Sequence, residues 1–218
     1  MRILLHIVAL TVLTMSASAQ ANIEAHPDSR FWIEGSSSVS QFVCRVDSVW
    51  GEGRLTDSGP ERLVGTGVQA AGPQGMAEAH LRVPVAVIDC GDRRITRDLR
   101  GSLRSDEFPE IRFELDPIST SKRSESGALP DRGDVAGVPI EAAGSLTIAG
   151  HTESVTITGT LQVLSGGLLR LRGSKDLLLT DFGIDPPTKL FGLIKVHNEI
   201  DVHFDLIGAR RESAQPAG

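Results

Sequence analysis

The segment Ile200-Asp201-Val202-His203-Phe204-Asp205-Leu206 alternates apolar and polar side chains at every step. A period of two sends one greasy face inward and one polar face to water, the pattern of an antiparallel strand covered on one side. Ile111-Arg112-Phe113-Glu114-Leu115 keeps the same rhythm, and Val155-Thr156-Ile157-Thr158 and Leu169-Arg170-Leu171-Arg172 keep it more weakly. Further strands are expected at 31–34, 39–47, 62–69, 76–88 and 139–149, parted by turn clusters such as Asp57-Ser58-Gly59-Pro60, Gly72-Pro73 and Ser165-Gly166-Gly167. So many strands predict an all-β barrel or sandwich. One stretch departs from the rhythm. Ile95, Leu99 and Leu103 recur at helical spacing behind Asp92, which is placed to cap them, so a single short helix is expected there. Residues 119–137, rich in Ser, Gly and charge with Pro130, read as a long flexible connection. Residues 20–30, polar and carrying Pro27, read as a loose N-terminal arm, and 209–218 as a flexible tail.

The 218 residues suit one domain, with no internal repeat and no second core. The formal charge is −6, and no Lys/Arg block occurs, so the positive surface that neutralises phosphates is missing and nucleic acid is not an expected partner. Met1-Arg2, the apolar run from Ile3 to Leu13 and the small residues Ala17-Ser18-Ala19 read as a signal peptide over residues 1–19, cleaved near Ala19. That run is too short to span a bilayer, so the expected protein is periplasmic or secreted, without stable membrane insertion. In an oxidising compartment Cys44 and Cys90 are expected to form a disulfide, the alternative being two buried thiols.

Catalytic motifs are missing. Asp181-Phe182-Gly183 copies a kinase triplet without a glycine-rich phosphate loop or a catalytic-loop segment, and reads as a strand-to-turn junction. No nucleophile elbow, P-loop, zinc-protease helix or dinucleotide fingerprint is present. Asp201, His203 and Asp205 share a face that could ligate a metal only if a second group met it; the opposite face is apolar, so the stripe reads as solvated. Glu78, His80 and Arg82 read as water-facing in the same way, and nothing pairs Glu110, Glu114 or Asp116 in a pocket for acid/base work. The expectation is no catalytic residue, no metal, no cofactor and no enzyme.

Four stretches, in order, resemble the YceI-like family. They are Phe31-Trp32-Ile33-Glu34 with the Ser-rich turn to Phe42, the block from Ile95-Thr96-Arg97-Asp98 through Leu103-Arg104-Ser105-Asp106-Glu107-Phe108-Pro109 to Phe113, Gly144-Ser145-Leu146-Thr147-Ile148-Ala149-Gly150-His151-Thr152, and Asp181-Phe182-Gly183-Ile184. The resemblance covers residues 31–208. It implies an extended lipocalin-like eight-stranded antiparallel β-barrel with one short helix, exported and enclosing a polyisoprenoid. Glu34 stands where the family has Asp, the His-Ser pair common after it is absent, and the cysteines and the 119–137 segment are additions to the simplest family pattern.

A barrel of that size can be filled or keep a slot, and an aromatic content of 4% leaves room for a slot. By alternation Phe42, Ile111, Phe113, Leu115, Leu146, Ile148, Val155, Ile157, Leu169, Leu171, Ile200, Val202 and Phe204 point inward as candidate ligand-binding residues, or else as plain core. Arg97-Asp98 reads as an anchor holding the helix to the barrel. The expected partner is an isoprenoid or other amphiphilic lipid, and a homodimer is a possible assembly. The competing reading is a structural or stress-response interaction module with a filled barrel.

Overall fold

The computed structural model describes residues 21–46, 48–55, 76–115, 137–189 and 193–211. The segment read as a signal peptide, the expected strand at 62–69, almost all of the 119–137 connection and the end of the tail lie outside the described residues. The strands are β1 (Ala21–Ala25), β2 (Arg30–Ser37), β3 (Gln41–Val46), β4 (Trp50–Leu55), β5 (Met76–Pro84), β6 (Ile88–Asp89), β7 (Glu110–Leu115), β8 (Val138–Ile148), β9 (His151–Val163), β10 (Leu169–Leu178), β11 (Thr188–Lys189) and β12 (Ile194–Arg211). Among the described residues one α-helix, α1 (Arg93–Ser102), follows β6.

These strands close into an eight-stranded antiparallel barrel. The path runs β1, β4, β5, β7, β8, β9, β10, β12, and β12 closes it twice. Its end from Gly208 to Arg211 pairs with β1, and its middle from Ile200 to Asp205 pairs with β2. β1 and β2 are therefore one wall strand broken in the middle, and β3 and β4 are its bent neighbour. Closure removes the free edges that an open sheet of this size would expose.

The stretch read as a loose arm is in part a wall strand. Pro27 cannot donate a ladder hydrogen bond, so the chain bulges there. Ser29, 3% exposed, repairs the gap: its Oγ donates to the Ile207 carbonyl at 3.2 Å and accepts from the Ile207 amide at 3.0 Å. Polarity hid this strand, because its strength lies in backbone pairing on both sides and not in its own side chains.

Helix α1 forms where the spacing places it. Asp92 Oδ1 accepts from the Arg94 amide at 2.7 Å and the Ile95 amide at 3.1 Å, satisfying two of the donors a helix start leaves open. Those bonds, from Ile95 first and Arg94 second, hold its carboxyl below the ordinary value. The helix lies across one end of the barrel and is fixed by three contacts. Cys90, just before it, is disulfide-bonded to Cys44 on β3. Arg100 donates to the carbonyls of Ala86 at 2.6 Å and Ile88 at 3.0 Å. Arg104 donates to the Ala149 carbonyl and lies 4.5 Å from the Phe108 ring centre. This corrects the expectation for Arg97, whose side chain is 76% exposed and meets its neighbour Asp98 at 3.7 Å, while Asp98 borders the barrel interior. The arginine contacts to barrel-end carbonyls come from Arg100, one turn later, and from Arg104, just past the end of the helix.

Under the helix the interior is packed. Ile88, Val46, Val85 and Cys44 are fully enclosed, joined by Ile33, Val83, Ile111, Ile148 and Leu177. Phe182 and Ile184 complete this plug from a tight turn whose Gly183 takes a φ of 65°, a left-handed conformation that favours glycine. The Asp181-Phe182-Gly183 triplet is thus a turn that inserts a phenylalanine into the core.

Candidate ligand cavity

Beyond the plug the barrel is hollow. A cavity of about 560 Å³ runs between the strands, with wall residues from every strand of the closed ring and from α1. That volume lies within the range of small-molecule sites, and the wall is almost wholly carbon. All thirteen inward positions named from the alternation line it: Phe42, Ile111, Phe113, Leu115, Leu146, Ile148, Val155, Ile157, Leu169, Leu171, Ile200, Val202 and Phe204. One face of α1 closes it at the plug end through Ile95 and Leu99, joined by Leu103 at the helix C-cap.

The space is kept open by glycines on the inner wall. Gly35 pairs across the sheet with Phe42, and Gly173 with Phe204. A β-carbon on Gly173 would stand 2.5 Å from the Phe204 ring, one on Gly144 would stand 2.7 Å from the Phe113 ring, and one on Gly35 would overlap Phe42. Each ring therefore lies flat on a glycine, against the wall, where with any larger partner it would have to swing into the lumen. The interior phenylalanines coat the slot and do not fill it.

Sequence reasoning found the apolar strand positions but missed the glycine seats, the wall contributed by β1 through Ile23 and Ala25, and one cation, Lys175. Lys175 could have been found by continuing the alternation of β10 from Leu169 and Leu171 through Gly173. The polar residues Glu52, His80 and Glu141 also border the cavity, but each follows the outward register of its strand, whereas Asp98 borders it from α1.

The outer wall carries the charge. Asp205 accepts from Arg170 Nε at 2.6 Å and Nη2 at 2.5 Å, and from Arg172 at 3.2 Å, tying β12 to β10. The Arg170 bond holds the Asp205 carboxyl below its ordinary value against an opposing effect of burial. His203 stacks on Trp32 with ring centres 5.1 Å apart, and Trp32 donates to Glu34 at 3.0 Å. The Asp201, His203 and Asp205 stripe is thus an outer surface, and among the described residues no group of His, Cys, Asp or Glu is arranged to hold a metal.

A family model for the YceI-like domain matches residues 32–207, most of the chain. The chain belongs to the YceI-like family. Two solved structures share the fold of this YceI-like barrel. Burkholderia cenocepacia BcnA has 18% identity and a TM-score of 0.58, covering 83% of this chain and 96% of its own. A polyisoprenoid binding domain from Saccharophagus degradans, implicated in plant cell wall breakdown, has 10% identity and a TM-score of 0.58, covering 87% and 98%. No curated protein matches the chain in sequence. At these identities the likeness is one of fold. The family is one of binding domains, and among the described residues no helix is long and apolar enough to cross a membrane.

Proposed function

We propose that this YceI-like barrel sequesters or carries an isoprenoid or similar amphiphile in its cavity, outside the cytoplasm and without catalysing a reaction. The observation that carries the reading is the 560 Å³ apolar cavity itself, held open by phenylalanines seated on glycines. A chain of methylene or isoprene groups entering it would leave water at a gain of about 0.8 kcal/mol per methylene, so affinity needs no catalytic group. The polyisoprenoid-binding description of the Saccharophagus relative points to the same ligand class. Export is supported by the Cys44–Cys90 disulfide, a bond that persists in oxidising compartments. A filled barrel acting only through its surface fits poorly with a lumen of this volume.

The test is native mass spectrometry of the protein purified from its own host, followed by delipidation and reloading. A co-purifying lipid, or uptake of a polyprenyl or fatty ligand at one per chain, is the expected result. Protein that arrives empty and takes up neither defeats the proposal. Intact mass of the exported form checks the processing, and a mass retaining Met1 excludes cleavage near Ala19.

A further inference from the structure

Lys175 is the one lysine or arginine among the described residues that line the cavity. Its strand leaves no doubt about its direction: Leu169, Leu171 and Leu177 on β10 all face the lumen, while Arg172, Ser174 and Asp176 are exposed on the outside. Across the sheet it stands opposite Val202, and one step past the ladder pair of Ser174 with Thr158 lies Ile157, so apolar wall flanks it on both sides. Among the described residues no ion pair or hydrogen bond of the Lys175 side chain is present. An ammonium group on an almost wholly carbon wall, where the charged residue off the strands is Asp98 of α1, is costly, and a structural role would be served better by leucine or methionine.

We infer that Lys175 is the head-group residue of the cavity, and that the ligand is an apolar chain carrying an anionic group, a carboxylate or a phosphate. The inference rests on the barrel being a lipid carrier and adds the chemistry of the lipid's polar end. Lys175 stands six residues along β10 from Leu169 and three from Leu178. At about 3.3 Å per residue, roughly 20 Å of wall separates it from the end marked by Leu169 and about 10 Å from the α1 end. The head group sits near the plug, and the tail runs the long way, past Gly173 and Phe204 toward Leu171, Leu161 and Ile23. A lysine suits this task because its ammonium is a compact point charge that accepts either anion.

The experiment compares hexadecanoate, hexadecyl phosphate and hexadecanol as competitors of a neutral fluorescent probe, N-phenyl-1-naphthylamine, on the purified protein and on Lys175→Met and Lys175→Arg. The wild-type protein is expected to release the probe at concentrations of the two anions about tenfold or more below that of the alcohol, the size of one charge-assisted hydrogen bond in a dry site. Lys175→Met brings the anions to the level of the alcohol and leaves hexadecanol unchanged, and Lys175→Arg keeps the preference. A preference for one anion over the other identifies the source of the charge. Equal competition by all three ligands on the wild-type protein overturns the inference, as does a preference that survives Lys175→Met; in both cases hexadecanol binding leaves the lipid carrier standing. If none of the three competes, the inference falls, and the carrier reading falls with it if polyprenyl uptake by native mass spectrometry is also absent. The wild-type comparison decides the matter even if a variant fails to fold.

Discussion

At the end of the barrel under α1, Ile88, Val46, Val85 and Cys44 are shut off from solvent, whereas toward the opposite end Ile23, Ile140, Leu161 and Leu171 are only half-buried against the lumen, with Leu169 the exception. The same alternation builds both regions, yet one is a packed core and the other a lined space. Covering accounts for the difference. The helix and the Leu179–Phe182 turn lay Leu103, Leu179 and Phe182 over the strand ends, so inward side chains there meet partners on every side. Farther along, glycines on neighbouring strands seat the Phe42, Phe113 and Phe204 rings against the wall. Close packing is concentrated in the plug, and open space in the remainder.

Removing what fastens the helix should break the contrast most. The Cys44–Cys90 bridge spans 46 residues of sequence, and a closed loop of that size contributes about 4 kcal/mol on the chain-entropy model. The double substitution C44A/C90A should therefore lower unfolding free energy by about that amount in urea titration, and a loss below about 1 kcal/mol would show that α1 is held without it. Next comes a matched pair of truncations. Ile88→Ala, at a site with no exposure, should cost about 3 kcal/mol and leave ligand affinity within about twofold. Leu161→Ala, on the hollow side, should cost less than about 1 kcal/mol yet weaken hexadecanoate binding several-fold, because the methyl groups it removes face the ligand and not other side chains. Equal stability losses at the two sites would mean that both regions are packed alike.

Filling the lumen sharpens the comparison further. In Gly173→Leu the new side chain collides with the Phe204 ring and the Thr158 carbonyl, and the ring is driven into the cavity. A destabilisation of about 2 kcal/mol is expected, with loss of measurable ligand uptake by native mass spectrometry. Uptake that persists would show that the ring does not need its seat.

The smallest effect concerns the outer wall, which holds the hollow region together where little packing does. Asp205 is bound by Arg170, and its carboxyl is held below the ordinary value, so the folded state favours the ionised form. The stabilisation is complete above the unfolded carboxyl value near about 4 and is lost as pH falls through the lower folded value. Asp205→Asn should cost about 1 kcal/mol at neutral pH. It should also flatten the acid side of the stability profile, and an unchanged slope between about pH 2 and 5 would remove this pair from the account.

Period two in β7, β9, β10 and β12 fixes which side chains face the lumen, because a strand cannot turn one residue over without turning all of them. The α1 signals were equally local: an Asp cap and a four-residue apolar spacing act within a few residues of themselves. Cys44 and Cys90 offered one pairing only. The β1 strand was missed because its alternation spans only the five residues Ala21–Ala25 beside Pro27, and it is held by partners nearly 190 residues away on β12. The arginine anchor was misplaced by one turn because a helix shows which residues share a face, while the position of free carbonyls at Ala86, Ile88 and Ala149 depends on where the barrel rim ends.

Taken by itself, the sequence determined the strands, their inward faces and a family likeness, all of which follow from local spacing. Whether those inward faces meet was a matter for the tertiary structure alone. A phenylalanine in the alternation points inward in either case. It fills a core if a bulky residue stands opposite and coats a cavity if a glycine does, and only cross-strand register, which brings Gly173 of β10 to Phe204 of β12 from 31 residues away, decides which glycine faces which ring.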